Sequence, residues 1–285
     1  MSEGGEHARE GRLVDGRYRL DGRLGSGGTG TVWQAFDLLM ERQVAVRQPK
    51  VPRDPDGEPG RRAVNRVYRE ARAAARVDHP SAVVIHDVVV DDGLPWVVME
   101  LVRGHCLREL LARGPLPDTE CARLGLAVLG ALRAAHAVGI VHRDVRPANV
   151  LVEHDTGRVV LTDFGVDPVR GSEFAAPERR AGRDAGPASD LWSLGALLHA
   201  AAVGVAPAGH AGGPEASLAR EAPLVPDGPL VPDGPLGPDG PLGPLISRLL
   251  HPRPALRPAA DHAAAQLAAV AGQVRTGAVR KLAFE

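Results

Sequence analysis

Two short polar motifs near the middle of the chain carry side chains that can bind a divalent cation and a hydroxyl group. His142-Arg143-Asp144 is followed five residues later by Asn149, and Asp163-Phe164-Gly165 begins nineteen residues after Asp144. The carboxylate of Asp144 can orient a hydroxyl group. The amide oxygen of Asn149 and the carboxylate of Asp163 are ligands that Mg²⁺ prefers. Because these residue types rarely share this spacing by chance, the pattern predicts transfer of a phosphoryl group to a hydroxyl.

A glycine-rich segment earlier in the chain could hold the phosphates of a nucleotide. Gly25, Gly27 and Gly30 follow the spacing G-x-G-x-x-G, and residues of alternating polarity flank them at 18–24 and 31–36. This pattern predicts a hairpin with a glycine-rich turn. Since glycine has no side chain, backbone N–H groups could closely approach anionic phosphate oxygens there.

The composition excludes several other classes of protein. The chain has 285 residues, of which 44% are hydrophobic and 24% charged, and its formal net charge of −1 predicts no nucleic-acid partner and no anionic-membrane partner. Cys106 and Cys121 are too few for a disulfide framework and favour a reducing cytoplasm. No apolar stretch reaches the roughly 18 residues of a membrane span, and residues 1–10 lack the apolar segment of a signal peptide. The expected localisation is cytoplasmic.

The predicted elements change from strands to helices along the chain. Strands are predicted at 18–24, 31–36, 43–46, 83–90 and 96–102, with one helix at 64–77. Helices are predicted later at 107–113, 121–138, 188–203, 245–250 and 259–274, with a hairpin from 150–152 and 159–162 that leads to Asp163. A mostly β part followed by a mostly α part implies two lobes with a cleft between them.

One segment has an abnormal composition. From residue 223 to residue 244 the unit Pro-Leu-(Val/Gly)-Pro-Asp-Gly recurs about every six residues. Proline lacks the N–H that helices and central strands need, so this segment is predicted to be an extended loop. Two interpretations stay open, which are a simple low-complexity expansion and a ligand for a proline-recognising domain.

Together, these motifs resemble those of bacterial, actinobacterial-type Ser/Thr protein kinase domains over roughly residues 18–273. The resemblance implies an α+β, bilobal protein-kinase-like fold, with a five-stranded antiparallel sheet and one helix in the N-lobe and a mainly helical C-lobe. The implied organisation is an N-terminal tail at 1–17, an N-lobe at 18–102, a C-lobe at 103–273 with a Pro/Gly-rich loop at 205–244, and a C-terminal tail at 274–285. The resemblance also implies ATP and Mg²⁺ (or Mn²⁺) as cofactors and Ser/Thr hydroxyls of protein substrates as acceptors.

The resemblance assigns roles to individual residues. Asp144, Arg146 and Asn149 are expected to be catalytic, and Asn149 and Asp163 are expected to hold the metal. The residues expected to bind ATP are Gly25, Gly27, Gly30, Val32, Ala45, Arg47, Glu70, Met99, Glu100, Val102 and Leu151. Structural roles in the C-lobe are expected for a buried ion pair of Glu178 with Arg257 and for Asp190 as the anchor of the catalytic loop.

The chain departs from the family pattern at the third strand, where Arg47 stands in place of the usual lysine. Lysine occurs only at Lys50 and Lys281, so 32 of the 34 basic residues are arginine, which looks like mutational drift. Arginine keeps the charge and can pair with Glu70, but its planar fork is bulkier than an ammonium group. Lys50 is an alternative cation, although it lies at an odd offset from Arg47 and follows Pro49.

Two further departures concern the catalytic machinery. Arg146 replaces a second lysine of the family, and the segment from Asp163 to Glu178 is short, with Ser172 as its one hydroxyl. Two hypotheses about function follow. The first is an ATP-dependent Ser/Thr protein kinase with reduced activity. The alternative is a pseudokinase that acts as a nucleotide-responsive binding or scaffold module.

Overall fold

The chain divides into a unit built mainly of strands and a unit built mainly of helices. The computed structural model describes residues 10–27, 30–50, 57–165, 172–204 and 240–272. The first unit contains the described parts of Met1–Asp78 and Val83–Val102, together with Gly165. The second contains His79–Ala82, Arg103–Phe164 and the described residues from 172 onward. Over these described ranges, no helix is long and apolar enough to cross a membrane.

A six-stranded antiparallel sheet and a helix build the first unit. The strands are β1 (Leu13–Val14), β2 (Tyr18–Gly27), β3 (Gly30–Asp37), β4 (Arg42–Pro49), β5 (Ile85–Asp91) and β6 (Leu94–Glu100), in the order β1-β2-β3-β4-β6-β5. The helix α1 spans Glu58–Ala74. Tyr18, Leu20, Val46, Trp96 and Val98 are fully buried in one cluster. Their spacing by two along each strand places them on the same face, so this face forms the core of the unit.

The sheet has one strand more than the five that the sequence predicts. Residues Leu13–Val14 pair with β2, and a two-residue strand is too short to produce a recognisable alternation. Arg12 donates from Nη2 to the carboxylates of Asp91 (2.5 Å) and Asp92 (2.6 Å), which fastens this edge to the β5–β6 hairpin. Leu13–Val14 are thus part of the sheet, although they lie within the range 1–17 that was predicted as an N-terminal tail.

Local turn and helix signals explain two boundaries of the first unit. The turn at Asp91-Asp92-Gly93 joins two of the predicted strands, and Asp92 (φ 49°) and Gly93 (φ 72°) adopt the left-handed conformations that a two-residue hairpin requires. Helix α1 begins at Glu58, six residues before the start of the helix predicted at 64–77. A proline in the first helical turn is compatible with this start, since the N–H that it lacks has no partner within the helix.

Helices dominate the second unit. Those that the described residues contain are α2 (Leu107–Leu111), α3 (Asp118–Ala137), α4 (Pro177–Arg180), α5 (Pro187–Val203), α6 (Gly243–Leu249) and α7 (Ala260–Ala271). A small sheet of β7 (Gly104–Cys106), β8 (Val150–Glu153) and β9 (Val159–Leu161) is ordered β7-β8-β9. Leu129 and Leu132 on α3 and Leu194 and Leu197 on α5 are among the fully buried side chains, so these two helices supply much of the core.

Three features of the second unit differ from the predictions. Strand β7 and helix α4 were not predicted, because elements of three and four residues produce no clear periodicity. Helix α6 begins at Gly243, which corrects the end of the loop predicted at 205–244. The rest of that predicted loop, residues 205–239, lies outside the described residues.

A buried ion pair stabilises the second unit, and its prediction is confirmed. Arg257 donates from Nη1 and Nη2 to the two carboxylate oxygens of Glu178, at 2.7 and 2.8 Å, and the hydroxyl of Ser189 donates to the same carboxylate at 2.7 Å. Burial alone would raise the pKa of Glu178. The hydrogen bonds from Arg257 and Ser189 outweigh burial and lower the pKa to about 2.

This ion pair predicts how stability depends on pH. The pKa of Glu178 lies below its ordinary value of 4.5, so the contribution is complete above pH 4.5 and is lost as the pH falls towards 2. Glu178→Gln is expected to lower the free energy of unfolding at pH 7 by about 3–5 kcal/mol, since it leaves Arg257 charged, buried and unpaired. It should also remove this part of the acid dependence. Urea denaturation of both proteins between pH 3 and pH 7 measures the two effects.

An exposed ion pair in the same unit provides the control. Asp261 accepts from Arg133 at 2.5 Å, and both side chains are at least half exposed. Asp261→Asn is expected to cost less than about 1 kcal/mol at pH 7 because solvent screens the pair. Equal losses in the two variants would contradict the assigned role of Glu178.

Candidate active site

The catalytic loop of the second unit is anchored by a buried carboxylate on α5. Asp190 is 1% exposed and accepts hydrogen bonds from the backbone N–H groups of His142 (2.8 Å) and Arg143 (2.9 Å). The ring nitrogen Nε2 of His136 on α3 lies 2.8 Å from the same carboxylate. The predicted anchoring role of Asp190 is therefore confirmed.

His142 connects the catalytic loop to the residues that precede Asp163. Its Nε2 donates to the carbonyl oxygen of Thr162 at 2.8 Å, and its Nδ1 accepts from the backbone N–H of Asp144 at 3.1 Å. Its ring packs edge-on against Phe164, with the centroids 4.7 Å apart. Both ring nitrogens of His142 and its ring contact with Phe164 thus hold the two motifs together.

Asp144 and Asn149 lie side by side in this loop. The amide nitrogen Nδ2 of Asn149 donates both to the backbone carbonyl of Asp144 (2.8 Å) and to its carboxylate oxygen Oδ2 (2.9 Å). The side chains are almost fully buried, with Asp144 8% and Asn149 7% exposed. Because Nδ2 of Asn149 makes both of these hydrogen bonds to Asp144, the orientation of the amide group is fixed. The amide oxygen Oδ1 of Asn149 therefore points away from these two acceptors.

The backbone around these side chains is strained at two positions. Arg143 has φ 71° and Asp163 has φ 66°, a left-handed conformation that non-glycine residues rarely adopt. Each such residue costs on the order of 1–3 kcal/mol and persists only where the surroundings enforce it. Strain of this kind clusters at functional sites, so both positions support a site at this loop.

The donor set of the loop fits Mg²⁺ bound together with phosphates. Within the part of the chain that the structure describes, no three His, Cys, Asp or Glu side chains cluster as a self-sufficient metal site. Mg²⁺ commonly takes only one or two protein ligands and completes its octahedron with phosphate oxygens and water. The oxygen Oδ1 of Asn149 and the carboxylate of Asp163 are ligands of this type.

Two further predicted residues lie close in sequence to Asn149. Arg146 is half-buried and immediately precedes the short turn of 3₁₀ helix at Pro147–Asn149, and its carbonyl accepts the N–H of Asn149 at 3.0 Å. Leu151 lies on β8, opposite Val160 of β9. The second unit therefore brings together Asp144, Asn149 and the residues leading to Asp163, with Arg146 and Leu151 adjacent along the chain.

Packing within the sheet explains one of the three predicted glycines of the first unit and leaves the other two unexplained. Gly30 has φ 141°, and a Cβ atom there would lie 2.2 Å from the carbonyl oxygen of Gln48, so packing of β3 on β4 excludes any side chain. Gly25 and Gly27 lie on β2, and no other described atom lies within 4 Å of the place where a Cβ would stand. The described structure therefore leaves room for side chains at these two positions, and their identity needs a reason other than packing.

Arg47 lies on β4 with its side chain almost fully buried at 3% exposed. Its strand neighbours are Val32 on β3 and Val97 on β6. Lys50, the alternative cation, is exposed and lies just beyond the end of β4. A buried arginine thus occupies the register position where a lysine was expected.

The remaining nucleotide-binding candidates of the first unit lie on α1, β4 and β6. Glu70 of α1 is half-buried. A Cβ atom built at Gly165 would stand 3.8 Å from the Cβ atom of Glu70.

Ala45 and Met99 are paired across β4 and β6 and are both buried. The N–H of Glu100 donates to the carbonyl of Val84 at 2.9 Å, and its carboxylate oxygen Oε1 accepts from the N–H of Val84 at 2.9 Å. Val102 follows the end of β6.

Sequence reasoning missed two residues that hold the catalytic loop. His136 contacts Asp190, and Thr162 accepts through its backbone carbonyl from His142. The hydroxyl and N–H of Thr162 also donate to the carbonyl of Asn149, at 3.2 and 2.9 Å. A histidine in an alanine-rich helix was the only signal for the first residue, and the backbone role of the second has none.

Comparison with known proteins agrees with this geometry. The family model described as "Protein kinase domain" matches residues 18–267. The chain is 36% identical over 214 residues to the serine/threonine-protein kinase PknL of Mycobacterium bovis and 37% identical over 218 residues to PknA of Mycobacterium tuberculosis. These alignments cover 70% of this chain and 52% and 49% of the relatives, so the chain spans about half the length of the curated relatives that it matches.

Solved structures show the same similarity. A crystal structure of the Mycobacterium tuberculosis PknI kinase domain has a TM-score of 0.74 to this chain at 28% identity, and the match covers 93% of this chain and 100% of that one. The predicted protein-kinase-like α+β fold is therefore confirmed. Because the family model spans most of the sequence, the chain belongs to the protein kinase domain family.

Proposed function

We propose that this chain is an ATP-dependent Ser/Thr protein kinase that transfers the γ-phosphoryl group of ATP to Ser/Thr hydroxyls of protein substrates. The observation that carries this proposal is the buried pair of Asp144 and Asn149, joined by two hydrogen bonds and held by His142 next to the residues that lead to Asp163. Relatives of this chain are named serine/threonine-protein kinases, which supports the acceptor class.

The residues of the second unit take the chemical roles in this proposal. Asp144 orients the substrate hydroxyl and accepts its proton, and its contact with Asn149 fixes the direction of the carboxylate. Asn149 through Oδ1 and Asp163 through its carboxylate would hold Mg²⁺, which would neutralise charge on the phosphates. Arg146 supplies a cation near the transferred phosphoryl group.

The residues of the first unit, with Leu151, take the nucleotide-binding roles. Gly25, Gly27 and Gly30 present backbone N–H groups to the phosphates, and the room above Gly25 and Gly27 supports close approach of a ligand. Val32, Ala45 and Leu151 are proposed to contact the adenine. The edge of the adenine is proposed to bond the backbone of Glu100 and of Val102, with Met99 limiting the depth of the pocket.

Arg47 supports a second candidate function. Buried on β4 and proposed to pair with Glu70 and contact the phosphates, it is larger than the lysine that it replaces. If the guanidinium displaces the phosphates from the reactive position, the chain would bind nucleotide without transferring phosphate. It would then act as a nucleotide-responsive binding or scaffold module.

Replacing the proposed catalytic carboxylate tests the enzyme directly. Asp144→Asn is expected to lower phosphoryl transfer at least a hundredfold, because an amide cannot accept the hydroxyl proton. Transfer is measured with γ-labelled ATP, Mg²⁺ or Mn²⁺, and a generic basic protein as acceptor. Asp184→Asn, at an exposed position of the same unit, is the matched control and should leave transfer unchanged.

Nucleotide binding separates the two candidate functions. Mg-ATP at 100 times its dissociation constant is expected to stabilise the protein by about 2.7 kcal/mol in a thermal-shift titration. Stabilisation without transfer above the Asp144→Asn background would support the binding module. The absence of both would exclude both candidates.

The arginine of β4 predicts a gain of function. Arg47→Lys is expected to raise the transfer rate at least tenfold, equivalent to about 1.4 kcal/mol of activation free energy, because the compact ammonium keeps the charge without the bulk of the guanidinium. Steady-state rates of the two proteins are compared at saturating ATP. Arg133→Lys makes the same exchange at an exposed site of α3 and should have no effect. An unchanged or lower rate for Arg47→Lys would show that the arginine does not limit transfer.

A further inference from the structure

An arginine outside the sequence motifs contacts the catalytic loop. Arg179 lies on α4, immediately after Glu178, and its Nη1 donates to the backbone carbonyl of Arg143. The ion pair of Glu178 with Arg257 fixes the neighbouring residue and thereby the location of the Arg179 backbone in the second unit. Arg179 therefore extends from a fixed point of the second unit to the residue that precedes Asp144.

The carbonyl that Arg179 holds belongs to the peptide between Arg143 and Asp144. The N–H of that same peptide donates to Nδ1 of His142 at 3.1 Å. The peptide plane is thus held on its N–H side by His142 and on its carbonyl side by Arg179. Because the direction of a peptide plane sets the direction of the next side chain, these two contacts determine where the carboxylate of Asp144 points.

The conformation of Arg143 explains why two contacts are needed. At φ 71° this residue is in a region that non-glycine residues avoid, and relaxation would rotate the peptide that leads to Asp144. Asp190 holds the N–H of Arg143 at 2.9 Å, which restrains one side of the strained residue. The hydrogen bond from Arg179 restrains the other side.

The charge of Arg179 also acts on the loop. Burial lowers the pKa of this guanidinium, and the negative charges of Asp190 and Asp144 favour its charged form. Arg179 is half-buried, so solvent screens these interactions only in part. The guanidinium therefore places a positive charge within electrostatic reach of the proposed catalytic carboxylate.

We propose that Arg179 is a positioning residue for phosphoryl transfer, which holds the Arg143–Asp144 peptide in its strained conformation and thereby directs the carboxylate of Asp144 at the acceptor hydroxyl. This inference rests on the proposed kinase function and extends it to a residue that the family motifs do not contain. Arg179 touches neither nucleotide nor acceptor in this role. It acts through Asp144.

Kinetics distinguish positioning from general stabilisation. Arg179→Ala is expected to lower kcat at least tenfold while KM for ATP stays within twofold, because nucleotide binding does not depend on the direction of Asp144. Arg179→Lys keeps a charged donor and should recover kcat to within about threefold of the wild type. Arg183→Ala removes an exposed arginine four residues later and is the matched control, with kcat unchanged. A kcat of Arg179→Ala within twofold of the wild type, or no recovery by Arg179→Lys, would overturn the proposal.

Amide hydrogen exchange provides a readout that does not need activity. The N–H of Asp144 bonds His142, so release of the peptide by Arg179→Ala should speed exchange at Asp144 at least tenfold. Exchange in α7 should stay unchanged if the unit remains folded. Arg179→Met, which keeps an unbranched side chain but cannot donate, replaces the alanine variant if that variant does not fold, and Arg179→Lys should exchange like the wild type. Equal exchange at Asp144 in the wild type and in the folded variant without a donor would overturn the positioning role. If the wild type transfers no phosphate, the proposed function fails while this comparison still decides the role of Arg179.

Discussion

The carboxylate of Asp190 is the interaction on which the order of the catalytic loop depends. A carboxylate that is 1% exposed is unfavourable unless hydrogen-bond donors surround it. Two of its donors are backbone N–H groups of the loop itself, those of His142 and Arg143. The free-energy cost of burying the Asp190 carboxylate is therefore offset only when the loop adopts this conformation. The same hydrogen bonds compensate the strain at Arg143.

Side chains in the first two turns of α5 hold several neighbouring segments of the second unit in place. Ser189 donates to Glu178 in the buried ion pair, and the next residue, Asp190, holds the catalytic loop. One turn later, the hydroxyl of Ser193 donates to the carbonyl of Phe174 at 2.7 Å. Three neighbouring side chains of one helix thus fix the loop, helix α4 and the segment before α4, so a displacement of α5 would disturb all of them.

Several features of the fold could be predicted because their signals are local. The turn between β5 and β6 can be predicted from the dipeptide Asp92-Gly93. Gly30 was recognised as part of a glycine motif, but the close approach of the Gln48 carbonyl, which excludes a side chain there, is visible only in the structure. Strand β1 and helix α4 could not be predicted, since two and four residues are too few to show a period. Strand β1 is held instead by bonds from Arg12 to carboxylates about eighty positions away along the chain.

The sequence by itself determined the protein kinase family, the order of the longer strands and helices, and the candidate residues Asp144, Asn149, Asp163 and Arg47. Residue type and spacing express these directly. Only the tertiary structure decided that Asn149 bonds Asp144 through Nδ2, that Arg47 is buried on β4, and that Arg179 reaches the carbonyl of Arg143. The physical reason is that such contacts join atoms that lie apart along the chain, by 36 positions for Arg179 and Arg143. In addition, a backbone carbonyl group is chemically the same whatever residue carries it, so the sequence gives no signal for it.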